Sequence, residues 1–258
     1  MTTNRINEVF QNKKNVLSVY YTAGFPELNN TLAIAQNLEV AGADIIEIGM
    51  PFSDPVADGP TIQESNKKAL ENGMSIQLLF EQLKEVRQSV SIPIILMGYI
   101  NPVLQFGIDA FCEKCEEVGV DGLILPDLPM AEYLALYKDK FDDHGIKNVF
   151  LITPQTSENR VREIDQNTDG FIYMVSSAST TGARGSFSEE QISYFERIKK
   201  MDLKNPTLIG FGISNNDTYE QACTYSSGAI IGSAFINCID SSGIEKEIIN
   251  QFVKDIKG

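Results

Sequence analysis

The sequence predicts a single (β/α)8 barrel, or TIM barrel, preceded by one extra helix at the N-terminus. The main reason is a repeated unit. A short apolar strand, a loop and an amphipathic helix recur eight times along 258 residues. No low-complexity or linker-like stretch interrupts the series, so residues 1–258 are expected to form one domain. A doubly wound open sheet is disfavoured by the unit count and by the lack of a Gly-rich turn after the first strand. A hydrophobic content of 43% is enough to fill a core of that size.

An opening helix is expected over 4–13, ahead of the first strand at 16–22. Helix 28–41 follows, with Asn29 or Asn30 as its N-cap and Gly42 as its stop. The second strand occupies 45–49, and helices at 62–71 and 76–90 come after it. Strand three lies at 93–97, and its helix, 109–118, is stopped by Gly119. Strand four, 122–125, opens into Pro126-Asp127-Leu128-Pro129 and a helix at 131–144. Strand five at 148–152 leads to helix 159–166, and strand six at 171–174 to helix 189–200. Strand seven at 207–210 precedes helix 217–224, and strand eight at 229–231 precedes the last helix, 244–256.

A net charge of −14 argues against nucleic acid and anionic membrane surfaces, which both call for clustered Lys and Arg. The N-terminus lacks an apolar signal core, and no run approaches the roughly 18 apolar residues of a membrane span. A soluble, cytoplasmic protein is expected. Four cysteines are too few and too scattered for a disulfide framework. Cys112 and Cys115 spell C-x-x-C, but inside a helical pattern and without a second pair or a nearby histidine. His144 is the only histidine, and it ends a helix, so histidine-based triads and metal sites are excluded.

Within the second strand, Ile45-Ile46-Glu47-Ile48, a carboxylate interrupts an apolar run. A buried charge is expensive unless paired, and burial raises a carboxyl pKa toward the range used in acid–base catalysis. A structural ion pair is the plain alternative. The loop that follows carries Pro51, Asp54, Pro55, Asp58 and Pro60 before the next helix. Barrel chemistry sits at the C-terminal ends of strands and in the loops after them. That rule selects Glu47 and Asp58, with Tyr99, Asp127, Thr153 and Tyr173 at or near later strand ends.

Small-residue clusters follow the last three strands: Ser179-Thr180-Thr181-Gly182, Gly210-Phe211-Gly212-Ile213-Ser214 and Gly232-Ser233-Ala234. Glycines let backbone N–H groups approach an anion closely, and barrels often seat a substrate phosphate there. No G-x-x-x-x-G-K-[ST] sequence is present, which argues against a nucleoside triphosphate.

The run Pro51-Phe52-Ser53-Asp54-Pro55-Val56-Ala57-Asp58-Gly59-Pro60-Thr61-Ile62-Gln63 closely resembles the signature loop of the tryptophan synthase alpha-subunit family. Ala41-Gly42-Ala43-Asp44, Val118-Gly119-Val120-Asp121-Gly122 and Gly210-Phe211-Gly212-Ile213-Ser214 extend the resemblance over nearly the whole chain. The resemblance implies cleavage of indole-3-glycerol phosphate to indole and glyceraldehyde 3-phosphate, with no cofactor in this subunit. It places the essential glutamate on Glu47, the loop aspartate on Asp58, a substrate-site tyrosine on Tyr173 and a mobile-loop threonine on Thr181. The phosphate amides fall on Gly182, Gly212, Gly232 and Ser233. Ser179-Thr180 departs from the family's usual Gly-Val before the Thr-Gly pair. The implied partner is a pyridoxal-phosphate-dependent beta subunit in an alpha2beta2 complex, contacted through Pro51, Phe52 and Asp54.

The implied chemistry asks for such groups. Glu47 would protonate indole C3 and then accept a proton from the adjoining hydroxyl, while Asp58 meets the positive charge at the ring N–H. Tyr20, Met97, Ile124 and Ile152 are expected to line an apolar slot for the indole. Another phosphate-binding barrel enzyme, acting on a phosphosugar or an indole phosphate, is the alternative. Such enzymes generally favour a strand-end Lys or a Cys/Asp pair, and none of the first three strands carries a Lys. A magnesium site on Glu47, Asp54 and Asp58 is opposed by the loop prolines and the lack of further acids. A non-catalytic subunit would have lost Glu47 and Asp58, and both are present.

Overall fold

A computed structural model describes residues 4–55, 58–176 and 186–258. Its eight parallel strands are β1 (Val16–Thr22), β2 (Ile45–Gly49), β3 (Ile94–Met97), β4 (Gly122–Ile124), β5 (Lys147–Ile152), β6 (Ile172–Val175), β7 (Thr207–Gly210) and β8 (Gly228–Ile231). Each pairs with its neighbour in sequence, and β8 closes on β1 through Val16↔Gly228 and Ser18↔Ile230. A closed parallel sheet is buried on both faces, which is why its strands read as near-continuous apolar runs.

Alternation along each strand divides the core in two. Leu17, Val19 and Tyr21 of β1, Ile46 and Ile48 of β2, and Phe150 and Ile152 of β5 pack against the helices. Val16, Ile45, Ile95, Ile124, Val149, Tyr173, Leu208 and Ile230 form a separate cluster in the barrel interior. The extra helix, α1 (Arg5–Asn12), adds Ile6 and Val9 to this inner cluster, with Phe10 packed against it. It thereby stoppers the N-terminal end of the barrel. Asn4 caps it, accepting from the Ile6 N–H at 2.9 Å, and reaches the Asp121 carbonyl at 3.0 Å. Arg5 and Arg87 both pair with the buried Asp121 carboxylate, at 2.9 and 2.6 Å.

The helices between strands are α2 (Thr31–Ala41), α3 (Pro60–Glu71), α4 (Ile76–Leu83), α5 (Ile100–Phe106), α6 (Ile108–Val118), α7 (Met130–Glu132), α8 (Lys138–Asp143), α9 (Glu158–Asn167), α10 (Glu189–Lys200) and α11 (Asn216–Tyr225). Two more, α12 (Ser233–Ser242) and α13 (Lys246–Lys257), close the chain. Several differ from the sequence expectation for local reasons. The α5 helix is absent from the sequence expectation; Pro102 falls in its first turn, where a missing N–H costs nothing. The 76–90 helix ends early, at Leu83, with a 3-10 turn at Val86–Gln88. The 131–144 helix is interrupted by a π-helical turn, Tyr133–Tyr137. Asn30 precedes α2 without capping it, because its side chain accepts from the Glu27 N–H instead. The expected last helix, 244–256, is α13, and a helix that was not expected, α12, precedes it, ending at Gly243 with φ +95°.

Asp44 fastens the chain's two ends to the barrel. Its carboxylate accepts from the Leu17 N–H at 2.9 Å, from Lys13 at 2.6 Å and from Lys257 at 2.7 Å. Burial pushes its pKa up, but these three hydrogen bonds outweigh burial and hold it below the ordinary 3.8. The folded-state pKa is depressed, so this stabilisation is complete above the unfolded pKa and fades as pH falls through the folded one. Asp44→Asn is expected to lose about 2–3 kcal/mol at neutral pH, since the released lysines are partly exposed and rehydrate. Urea unfolding of wild type and variant from pH 7 down to about 3 checks this, with the gap between them expected to narrow below about pH 4.

Candidate active site

Glu47 points into the barrel because it shares a face with Ile45, whose side chain lies in the inner cluster. It is fully buried. One carboxyl oxygen accepts from the Ser18 hydroxyl at 2.7 Å, and the other has no hydrogen-bond partner among the described residues. Burial raises its pKa from 4.5 to about 7, against the opposing pull of Ser18. An ion pair, the plain alternative for this residue, is absent among the described residues.

Asp58 stands at the end of the loop, one residue before Gly59, the N-cap of α3. Its carboxylate accepts from the Tyr99 hydroxyl at 3.2 Å. Burial lifts its pKa to about 6, with the Tyr99 hydrogen bond opposing. The Phe52 ring lies 5.2 Å from the Tyr99 ring, so the outer part of the loop reaches Asp58 through one aromatic contact and one hydrogen bond. Pro51 and Phe52 are half-buried and Asp54 is exposed.

Beside Asp58 lies a cavity walled by Tyr20, Met50, Asp58, Asn66, Met97, Gly98, Tyr99 and Pro126. Tyr20 and Tyr173 cross the barrel mouth above glycines of neighbouring strands. A Cβ at Gly49 would collide with the Tyr20 hydroxyl, and one at Gly210 with that of Tyr173. Burial, together with the charges of Asp58 and Glu47, raises the pKa of both phenols, which places the two acids within electrostatic reach of both rings. A wider groove of about 730 Å³ opens at the opposite end, between α1, α10 and α11. It touches none of these acids, and the strand-end rule excludes it as the reaction site.

The anion-binding expectation falls where β7 and β8 end. After β7, Phe211 and Gly212 take consecutive left-handed conformations, φ +67° and +82°. The Ser176 hydroxyl holds this turn by donating to the Phe211 carbonyl at 2.6 Å. The α11 helix that follows is closed by its own capping box, Asn215 with Thr218. By contrast α12 begins at Gly232-Ser233 with no side-chain cap, so its first N–H groups are left for an outside acceptor. A Cβ at Gly232 would make only ordinary contact with the Tyr20 ring, 3.5 Å away. Packing alone does not require glycine there.

The structure brings Glu47, Asp58, Tyr20, Met97, Tyr173, Gly212, Gly232 and Ser233 to one end of the barrel. Thr181 and Gly182 lie outside the described residues. Ile152 is a correction: it faces the helices, and the side chain that β5 turns inward at this height is Leu151. Ile124 sits in the inner cluster as register partner of Met97, while Pro126 is what this segment contributes to the cavity wall. Three residues escaped the sequence reading. Ser18 was legible, since parity on β1 puts it inward beside the β2 acid. Phe211 was not, because nothing announces a left-handed phenylalanine; its ring meets Tyr173 edge-on at 6.3 Å. Asn66 looked like any polar helix position. Cys112 and Cys115 are free, and burial pushes the Cys112 thiol up to about 11 and the Cys115 thiol well above its ordinary value, away from reactive thiolate. Among the described residues no three His, Cys, Asp or Glu side chains are grouped as metal ligands.

Fold and site together define a TIM-barrel protein with two buried carboxyls of raised pKa at the C-terminal end of its strands. The model of the family described as tryptophan synthase alpha chain matches residues 6–256. The tryptophan synthase alpha chain of Flavobacterium psychrophilum is 58% identical over 253 residues, covering 98% of this chain and 99% of that one. That of Parabacteroides distasonis is 54% identical, covering 98% and 99%. A solved tryptophan synthase alpha subunit from Legionella pneumophila superposes with a TM-score of 0.88 at 31% identity, covering 99% of this chain and 98% of that one. A chain of the tryptophan synthase complex of Pyrococcus furiosus gives 0.86 at 34%, covering 95% and 98%. The chain belongs to the tryptophan synthase alpha chain family. Its reaction is the cleavage of indole-3-glycerol phosphate to indole and glyceraldehyde 3-phosphate in tryptophan biosynthesis.

Proposed function

We propose that Glu47 is the proton shuttle of this cleavage and Asp58 the fixed countercharge. The observation that carries this reading is Glu47 itself: buried in the barrel, held by one hydroxyl, with a free oxygen and a pKa near 7. In the protonated state it gives its proton to indole C3, leaving positive charge on the ring nitrogen. As carboxylate it then takes the proton of the hydroxyl on the adjoining side-chain carbon. That oxygen closes to an aldehyde, the bond to C3 breaks, and its electron pair restores the indole. Glu47 ends protonated, as it began. Asp58, ionised, stabilises the transient charge at the ring N–H. Two carboxyls whose pKa values are set apart by their surroundings supply the acid and the anion at one pH.

The substrate phosphate is held at the opposite rim by Gly212, Gly232, Ser233 and the start of α12, and the family resemblance assigns Gly182 to the same phosphate and Thr181 to the substrate. Residues 1–258 serve as one catalytic domain. No helix among the described residues is long and apolar enough to cross a membrane, and we place the enzyme in the cytoplasm with its biosynthetic substrates. The partner is the beta subunit, a pyridoxal-phosphate enzyme, in an alpha2beta2 complex. It grips the loop at Pro51, Phe52 and Asp54, from which contact passes through Tyr99 to Asp58.

Glu47→Gln keeps the shape but removes the transferable proton, and one group fills two roles. A fall in kcat at or beyond the upper end of about 10²–10⁴-fold is expected, with phosphate binding unchanged. The wild-type kcat/KM is expected to follow a bell, rising with pH through about 6 as Asp58 ionises and falling through about 7 as Glu47 loses its proton. Near-normal turnover in Glu47→Gln would refute the mechanism.

Asp58→Asn is expected to lower kcat by more than it raises KM, because an amide stabilises a developing cation poorly. A change confined to KM would make Asp58 a binding residue only. Steady-state indole release distinguishes the two.

Gly232→Val is expected to weaken binding of glyceraldehyde 3-phosphate, measured by calorimetry, by tenfold or more through loss of space beside the α12 amides. Indole affinity in the same variant stays within about twofold of wild type; an equal loss of both ligands would indicate a misfolded barrel.

A further inference from the structure

We propose that Asn66 is a substrate contact of this site, its side-chain oxygen sharing the indole ring N–H with Asp58. This rests on the cleavage reading above and adds a residue to it. Asn66 is 3% exposed and stands on the cavity wall with Asp58. Its Oδ1 atom has no hydrogen-bond partner among the described residues. Buried acceptors in folded proteins are almost always answered, and leaving one unmade is costly. An unanswered amide oxygen on the wall of a reaction cavity therefore points to a donor carried by the ligand.

The backbone around Asn66 is held in place. The Ser65 hydroxyl donates to the Ile62 carbonyl at 2.9 Å and lies 2.7 Å from the Thr22 hydroxyl. A serine hydroxyl has one proton, here spent on Ile62, so Thr22 is the donor to Ser65. Both residues are buried, and the pair fixes α3 on β1 one position before Asn66. Asn66 is thus held at the cavity wall by a braced helix.

The choice of donor follows from the substrate's inventory and the cavity's walls. Indole-3-glycerol phosphate carries a ring N–H and two side-chain hydroxyls. The hydroxyl next to the ring is assigned to Glu47, and the phosphate end lies toward α12. Apart from Asp58 the walls beside Asn66 are Met50, Met97, Gly98, Pro126 and the rings of Tyr20 and Tyr99, whose hydroxyls are engaged with Thr22 and Asp58, so the surface suits the flat face of a ring better than a glycerol chain. Asp58 is the cavity's other acceptor, and the Tyr99 hydroxyl occupies only one of its two oxygens. The ring N–H, shared between two acceptors in a three-centre bond, answers both. Once C3 is protonated the N–H turns more acidic and both bonds strengthen, so Asn66 acts on kcat as well as on binding.

The test uses two unreactive analogues: an indole-3-alkyl phosphate, and its benzothiophene counterpart, in which sulfur replaces the N–H. Calorimetric titration of Asn66→Ala is expected to show about tenfold weaker binding of the indole analogue. Affinity for the benzothiophene analogue stays within about twofold, and kcat for the natural substrate falls by more than KM rises. Equal losses on both analogues, or no loss on either, would overturn the proposal. Should Asn66→Ala unfold before it can be titrated, Asn66→Ser, which restores a polar atom at the helix surface, is put through the same pair of titrations and judged by the same outcomes. The underlying cleavage reading fails separately: a wild-type chain that releases no indole from indole-3-glycerol phosphate would refute it whatever Asn66 does.

Discussion

Burying Glu47 in the barrel interior, with a single hydroxyl to answer its charge, is the constraint around which the other residues of the site are arranged. A closed parallel sheet leaves no water on its inner face, so an inward carboxyl must be paired or neutral. Here it is neutral part of the time. Ser18 lowers the pKa less than burial raises it, and the result near 7 is what a proton shuttle needs. A lysine in place of Ser18 would hold Glu47 as a permanent anion and end its use as an acid. The modest hydroxyl is therefore part of the chemistry.

The same inward face explains the glycines. Tyr20 and Tyr173 are too large for a barrel mouth in which every strand carries a side chain, and they fit because β2 and β7 offer Gly49 and Gly210 beneath their hydroxyls. Their rings narrow the space over Glu47 and separate it from the phosphate rim, where Gly232 lies against Tyr20. One end of the substrate is met by apolar walls and an acid, the other by helix N–H groups. The contrast between α11, closed by its own capping box, and α12, left uncapped, is what favours α12 as the proposed anion site.

Strands were the most legible part of the sequence, because a short apolar run bounded by turn residues has few other readings; β1, β2 and β7 fall where they were expected. Glu47 was legible as a charge inside such a run, and Asp58 through the specificity of its loop. What failed did so for identifiable reasons. Ile152 was assigned by composition without counting parity, and a one-residue step along a strand moves a side chain from lumen to helix layer. The α12 helix was hidden because its opening residues read as a turn, although that helix start is the proposed anion site. Asn66 and Phe211 owe their places to tertiary geometry, a braced helix in one case and a left-handed backbone in the other, and neither leaves a pattern in the chain.

The loop after β2 joins the site to the molecular surface, and its construction determines what a partner there can influence. Prolines at positions 51, 55 and 60 restrict the backbone, so fixing this loop costs less entropy than fixing a flexible one. Its outer end presents Asp54 to solvent, and its inner end supplies Asp58. Between them the Phe52 ring rests on Tyr99, and the Tyr99 hydroxyl donates to Asp58. Tyr99 stands at the end of β3, on the rigid barrel, so displacement of Phe52 is felt at a group that cannot follow it freely. Pressure on the outer loop therefore reaches Asp58 in two ways, along a stiff backbone and through Tyr99, while Glu47, seated in the closed sheet, is untouched. On the proposed mechanism, coupling between partner and reaction then acts on Asp58 and leaves Glu47 alone. Such coupling is reciprocal: whatever the partner gains by ordering Asp58 for the substrate, the substrate returns as tighter partner binding.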